Sequence, residues 1–314
     1  MQSSTQYSAT VLRIGTRGSP LAIVQARQVR ERLAAIHGFT PDQIELEIIR
    51  TTGDMIRDRP LAEVGGKGLF TKEIEDALLA GTIDLAVHSA KDIPTELPAG
   101  LAIVATLPRE DPRDVFISRK AESLRDLPKG ARVGSASLRR QAQVKRLRPD
   151  LEVVTFRGNV ETRLRKLNEG AVDATLLAMA GLKRLELEHS ATAILSIDEF
   201  LPAVGQGIIA LEARTDDKVA LRLLAPINDA DSATALSCER AFLTVLEGSC
   251  RTPIAGHATV RAGRLHFRGL IAKPDGSEVF ECEREGAAAD AVALGADAGR
   301  ELRERGGADF FASV

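Results

Sequence analysis

The sequence predicts an α/β protein in three parts: two units of alternating strand and helix, then a smaller α+β unit. Three observations carry this. Short apolar runs of strand length alternate with helical patterns through the first two thirds of the 314 residues. A Pro- and charge-rich stretch at 108–113 and a glycine-bearing stretch at 201–207 interrupt the alternation, as a chain crossing into a second unit and back would. Beyond residue 228 the character changes to alternating segments flanked by two helices. The domains expected are 1–107 with 205–227, then 108–204, then 228–314.

Composition narrows the partners. Basic and acidic residues nearly balance, 42 against 44, which argues against wrapping nucleic acid. Aromatics are 4% with one Tyr and no Trp, too few for base-stacking platforms. Among the cations, 32 are Arg and 10 are Lys. The guanidinium fork suits carboxylates and phosphates, although a genome biased toward Arg codons produces the same skew. No apolar run reaches the ~18–20 residues of a membrane helix, and the polar first ten residues lack the apolar centre of a secretory signal. A soluble cytoplasmic chain without membrane contact is expected. Cys238, Cys250 and Cys282 include no close pair, so neither a disulfide framework nor a metal site is indicated.

In the first unit, residues 11–14 read as a strand and 21–37 as a helix closed by Gly38. Between them, Ser19 suits an N-cap and Pro20 the first helical position. Two glycines before a helix N-terminus make an anion seat, and Arg17 sits inside it. A plain βα turn would explain the glycines and proline but not the Arg. Residues 45–50 form a second strand. The glycine-rich stretch 64–70, with Lys67 and Phe70, lacks the Lys-Ser/Thr ending of a P-loop. It reads as a mobile lid, a backbone approach to a ligand, or a flexible turn. A helical pattern at 71–80 precedes a buried strand ending at Val87, and His88-Ser89-Ala90-Lys91-Asp92 follows. Ligands in open α/β sheets sit beyond the carboxyl ends of strands. Lys91 there offers a cation for anionic groups and Asp92 a carboxylate for proton work, against the plain reading of a surface ion pair.

The second unit repeats the pattern. Strands at 131–134, 151–156 and 172–177 are each followed by polar groups: Ser135 to Arg140 opening a helix, Arg157 before a helix capped by Asn159 and carrying Arg163, and Lys183-Arg184. Three strand ends delivering Ser or Arg point to one convergent polyanion site. Residues 201–207 suggest a hinge before a strand at 208–212. In the last unit, a helix at 232–246 stops at Gly248. Cys250 follows in a loop beside Arg251, a setting that lowers a thiol pKa. Cys238 and Cys282 fall in helix and strand patterns, where buried structural thiols are the default. Segments 258–260, 265–271 and 278–283 read as an antiparallel sheet with a turn at 274–277, and a helix at 288–305 covers it.

Taken in order, Gly15-Thr16-Arg17-Gly18-Ser19-Pro20, the 64–70 loop, His88 to Asp92, Gly134 to Arg140, Arg157-Gly158-Asn159, Ala180 to Arg184, the 201–207 segment and Glu247-Gly248-Ser249-Cys250 resemble the porphobilinogen deaminase (hydroxymethylbilane synthase) family. No single piece is decisive; the ordered set, spread over nearly the whole chain, is specific. The resemblance implies two periplasmic-binding-protein-like α/β domains joined by a hinge, plus a smaller α+β domain bearing the cysteine. It implies a cytoplasmic, monomeric transferase that condenses four porphobilinogen molecules head to tail into hydroxymethylbilane, releasing ammonia, in tetrapyrrole biosynthesis. Elongation proceeds on a dipyrromethane cofactor held by a thioether to Cys250, and water releases the product.

On that resemblance the acetate and propionate groups fall to Arg17, Ser19, Lys67, Lys91, Ser137, Arg139, Arg140, Arg157, Arg163 and Arg184. Burying so many carboxylates without cations would be prohibitive. Asp92, with Lys91, is the expected catalytic pair, its carboxylate facing pyrrole nitrogens and stabilising the azafulvene-like cation formed as ammonia departs. Phe70 and Gln206 are expected beside the substrate. Two departures stand out: Glu63, where some relatives carry a lysine, and Ala90, where a bulkier apolar residue is common. Two rivals remain. An anion sensor on the same scaffold leaves Asp92 and the loop thiol unexplained, and a cysteine acyl-transfer enzyme has only His257 as a histidine candidate.

Overall fold

The computed structural model describes residues 12–55, 68–246 and 253–312. In the first sheet, strands β1 (Leu12–Arg17), β2 (Ile44–Ile49) and β3 (Leu85–Ser89) run parallel. Helices α1 (Pro20–His37), α2 (Thr52–Met55) and α3 (Lys72–Leu79) lie between them in sequence. Helix α1 begins where the sequence says it should: the Ser19 hydroxyl accepts from the Ala22 amide at 3.3 Å, and Pro20 takes the first helical position. Gly38 ends it in the left-handed conformation at φ 68°. The buried stripe of α1 runs Ala22, Gln25, Ala26, Val29, Leu33, so one polar residue sits among apolar ones.

The sequence reading assigns no strand to β4 (Leu101–Thr106) or β5 (Asp114–Ser118), and both are present. Strand β5 opens the second sheet, with β6 (Arg132–Gly134), β7 (Glu152–Val154), β8 (Ala174–Ala178) and β9 (Ala193–Ile194). Its helices are α4 (Leu138–Leu147), α5 (Val160–Asn168) and α6 (Met179–Arg184). The chain then returns through β10 (Ile209–Arg214) and α7 (Lys218–Leu224) to the first sheet.

The two sheets share one plan. The first has order β2-β1-β3-β10-β4 and the second β7-β6-β8-β5-β9. In each, three parallel strands are followed by one antiparallel strand that the crossing chain delivers, β10 beside β3 and β5 beside β8. The two crossings lie against each other, with the Glu110 amide donating to the Gly207 carbonyl at 3.2 Å. The fit leaves no room for a side chain: Gly207 has φ 91°, and a Cβ there would stand 2.3 Å from the Glu110 carbonyl oxygen.

The third unit packs α8 (Ala230–Val245) and α9 (Ala291–Ala312) on an antiparallel sheet, β11 (Ile254–Arg261), β12 (Arg264–Ala272) and β13 (Val279–Ala287). These strands are longer than the alternation alone implies. The first two meet at Ala262-Gly263, where both residues have positive φ, the two-residue hairpin geometry. Phe242 of α8 and Phe267 of β12 meet in its core with ring centroids 5.0 Å apart and planes tilted by 59°. Among the described residues, no helix is long and apolar enough to cross a membrane.

One carboxylate organises the second lobe. Asp114, at the start of β5, is fully buried and accepts from Arg139 at 2.7 Å, from Arg140 at 2.7 and 3.1 Å, and from Gln206 at 3.0 Å. Burial resists its ionisation, and the two guanidiniums more than reverse that, holding the carboxyl well below the usual carboxylate range. The stability this contributes is present above the ordinary carboxylate pKa and is lost as pH falls below about 4. Asp114→Asn leaves two buried guanidiniums without their counter-charge and is expected to cost about 3–5 kcal/mol, read as a lower urea midpoint at unchanged m-value.

Candidate functional site

Strand ends build the site. Strand β3 stops at Ser89, and a single 3₁₀ turn, Ala90–Asp92, presents Lys91 and Asp92 beyond it. Strand β1 ends at Arg17, and the turn into α1 brings Ser19 alongside. The Arg17 guanidinium lies 3.8 Å from the Asp92 carboxylate and 4.1 Å above the centre of the Phe70 ring. Arg17, Ser19, Gln25, Phe70, Ser89 and Asp92 line one compartment, with the Asp92 side chain 38% exposed. A carboxylate that open to solvent and that close to one cation can meet a second, incoming positive charge.

A second compartment adjoins it and shares Leu21, Gln25 and Ser89. Its polar lining adds Lys91, Arg140, Arg163 and Arg184, from both lobes. Gln25 and Ser89 hold each other between the compartments, with the Gln25 amide donating to the Ser89 hydroxyl at 2.9 Å. The sequence reading places Ser89 in the polar stretch after the strand but gives neither residue a site role. The signal was available for Gln25, a polar residue at an apolar-stripe position of α1.

These cations are poorly solvated. Lys91 is exposed by surface area, yet many protein atoms surround it and displace water from its neighbourhood. That desolvation, then the neighbouring Arg140, lowers its pKa to about 8. Lys91 donates to Gln206 at 3.3 Å, and Gln206 in turn donates to Asp114 and to the Pro112 carbonyl. Burial likewise lowers Arg163 to about 10, helped by Arg140, and Arg184 to about 10. The Arg163 Nε atom is buried with no hydrogen-bond partner among the described residues. Arg184 spends one bond on the Gly207 carbonyl at 2.7 Å. Among the described residues, no carboxylate lies at ion-pair distance from Lys91, Arg163 or Arg184, and desolvated cations in this number fit a ligand that brings several carboxylates of its own.

Three of the expected cofactor residues, Arg139, Ser137 and Arg157, lie away from these two compartments. Arg139 does not reach the cleft: its guanidinium is buried, bonded to Asp114 and to the Leu201 carbonyl, both at 2.7 Å. Arg140 divides its donors between Asp114 and the Leu176 carbonyl while still bordering the cleft. The sequence reading, without Asp114 as a buried acid, had no reason to withhold them. Ser137 caps α4, accepting from the Arg140 amide at 3.5 Å, and Arg157 follows β7 with its carbonyl accepting from Lys166 at 3.2 Å; neither borders the two compartments. Cys250, Lys67 and Glu63 lie outside the described residues.

The other thiols are inert by burial, which raises Cys238 to about 12 and Cys282 to about 11. His257 is buried on β11 with Glu239 at 3.8 Å, and desolvation, then Arg109, lowers its pKa to about 4. A ring so reluctant to take a proton is a poor general base near neutral pH.

Among solved structures, a periplasmic substrate-binding protein of an ABC transporter from Coxiella burnetii aligns with 69% of this chain and 92% of its own, at 14% identity and a TM-score of 0.44. The porphobilinogen deaminase of Nitrobacter winogradskyi is 62% identical over 311 residues, covering 99% of this chain and 98% of that protein. The chloroplastic porphobilinogen deaminase of Oryza sativa subsp. japonica is 54% identical over 319 residues, covering 100% and 89%. The family described as "Porphobilinogen deaminase, dipyromethane cofactor binding domain" matches residues 12–222, and "Porphobilinogen deaminase, C-terminal domain" matches residues 233–304. The chain therefore belongs to the porphobilinogen deaminase family, the hydroxymethylbilane synthases, transferases of tetrapyrrole biosynthesis that condense porphobilinogen into hydroxymethylbilane.

Proposed function

We propose that this chain runs its family's condensation with Asp92 as the catalytic acid–base, Lys91 beside it, and Cys250 as the thioether anchor of the dipyrromethane. The observation that carries the reading is the juxtaposition of a part-exposed Asp92 with desolvated Lys91, Arg140, Arg163 and Arg184 in one interlobe groove. When bound, the dipyrromethane supplies the nucleophilic pyrrole carbon to which each new unit is joined. Lys91, Arg140, Arg163 and Arg184 would hold carboxylates, each charge-assisted hydrogen bond contributing ~1.5–3 kcal/mol against desolvation. Arg17 and Ser19 border the compartment containing Asp92 and suit the acetate and propionate of an incoming unit. The Phe70 ring, stacked on Arg17, supplies an apolar wall.

Asp92 acts where charge changes. Loss of ammonia from porphobilinogen leaves a cation, and a nearby carboxylate lowers the barrier by meeting that charge. The same carboxylate can accept the proton that leaves the joined pyrrole carbon and return it at the next step. Arg17, 3.8 Å from the Asp92 carboxylate, holds it in place beside the incoming unit.

The domain partition 1–107 with 205–227, 108–204 and 228–314 is part of the proposal. Strand order supports it, since β5 and β10 are the strands that follow the two crossings. A hinge at the paired crossings would let the groove widen as the chain grows. A cytoplasmic monomer with no nucleic-acid or membrane partner agrees with the near-balanced charge and sparse aromatics.

Three outcomes test the reading. Intact-protein mass of the purified chain is expected to exceed the sequence mass by two pyrrole-acid units, and Cys250→Ala to lose that excess; an unmodified native chain would sink the tether. Asp92→Asn is expected to keep the added mass yet turn over porphobilinogen about 10²-fold more slowly or worse, the usual worth of a general acid–base. Lys91 is charged below its pKa and neutral above it. Seating a carboxylate beside it raises that pKa, so binding takes up a proton, and kcat/KM is expected to fall about tenfold per pH unit above a break at or beyond pH 8. Lys91→Arg, protonated throughout, should carry the break out of the accessible range.

A further inference from the structure

We propose that Arg240 is a positioning residue for Asp92, bolting the backbone just past the acid to helix α8 of the third unit. The proposal rests on the reading of Asp92 above and adds to it a residue outside the groove.

The Arg240 guanidinium donates to three consecutive carbonyls: Ile93 at 3.4 Å, Pro94 at 2.8 Å and Thr95 at 3.0 Å. They begin one residue after Asp92. This stretch has few anchors of its own, because Pro94 has no amide hydrogen and the Ile93 amide reaches only back to Ala90, at 3.3 Å. Among the described residues, Arg240 pairs with no carboxylate at ion-pair distance, so its donors are committed to backbone oxygens. A fork spanning neighbouring carbonyls fixes direction as well as distance, which a single ammonium does not.

The surroundings make the attachment rigid. One turn earlier on α8, Leu236 packs with Ala90, Ile93 and Ile208, flanking the turn that carries Lys91 and Asp92. The residue before, Glu239, is fully buried and accepts from the Gly205 amide at 2.6 Å, the Ala258 amide at 2.7 Å and Arg109 at 2.5 Å. Adjacent residues of one helix therefore hold the returning crossing and the acid's loop. Beneath them, His88 of β3 and Glu212 of β10 face each other at 3.1 Å, both buried. Glu212 is also the carboxylate that favours the charged form of Arg240 against the desolvation of its burial. Helix α8 ends at Val245, five residues before Cys250 in the sequence. Arg240 thus links the acid's loop to the helix that leads toward the proposed anchor. Displacing a catalytic group by about 1 Å can cost about 10²-fold in rate.

The test compares Arg240→Met, which keeps the stem and removes the donors, with Arg240→Lys on the primer-loaded enzyme, each with and without Asp92→Asn. Arg240→Met should retain the primer mass and lose about tenfold in kcat with KM changed less than about threefold, and Arg240→Lys should fall between it and the native chain. In the Asp92→Asn background the same change should cost less than about twofold, because a positioning residue has nothing left to position. Native kcat in Arg240→Met, or an equal loss in both backgrounds, would overturn the proposal. If Arg240→Met does not fold, the same comparison on Arg240→Lys decides, with a loss of about threefold expected only when Asp92 is present. Near-native turnover by Asp92→Asn alone would instead remove the acid, and the positioning of it with that.

Discussion

The arrangement depends on a single buried negative charge. Asp114 collects Arg139, Arg140 and Gln206 at the first residue of β5. Through Gln206 it reaches Lys91 of the other lobe. Two guanidiniums and one carboxylate leave the cluster net positive, and the excess faces the groove through Arg140. A buried charge this well paired tolerates no loss of a partner, so the same contact that stabilises the lobe also fixes how much positive potential the groove presents. Arg139 serves by being consumed: its charge holds Asp114 ionised, and Arg140 is thereby free to divide its donors.

The cations of the groove illustrate how binding power is stored. Lys91, Arg163 and Arg184 are each desolvated beyond comfort, as their lowered pKa values record. A chain of carboxylates entering the groove, as proposed, would relieve that condition, the folded protein having already met the desolvation cost. Gln25 and Ser89 supply a neutral divider between this stretch and the compartment around Asp92. The groove is thus graded, from a mixed-charge end where chemistry is proposed to a cationic end suited to holding what has been made.

Much of this was legible in the residues. Ser19, Pro20 and Gly38 bound α1 by ordinary capping rules, and the polar groups after β3, β6, β7 and β8 could be located because parallel strands in α/β sheets end where ligands bind. Strands β4 and β5 were harder. They are the outer and inserted strands of their sheets, and their partners, residues 209–214 for β4 and residues 174–178 and 193–194 for β5, lie far beyond any local pattern. The fate of Arg139 was hidden for a related reason. Whether an arginine at a helix start faces a ligand or a buried acid depends on Asp114, which sits 25 residues earlier in another element. Arg240 carried no local signal at all, since its partners are backbone carbonyls rather than a complementary side chain.

The position of β10 between β3 and β4 has a bearing on biosynthesis of the polypeptide itself. All five strands of the second sheet lie within 114–194 and can assemble as soon as that stretch has left the ribosome. The first sheet cannot: its fourth position stays vacant until residues 209–214 emerge, although its other strands were made long before. The N-terminal lobe is therefore completed after the lobe that follows it, and until then β3 and β4 each present an unpaired edge.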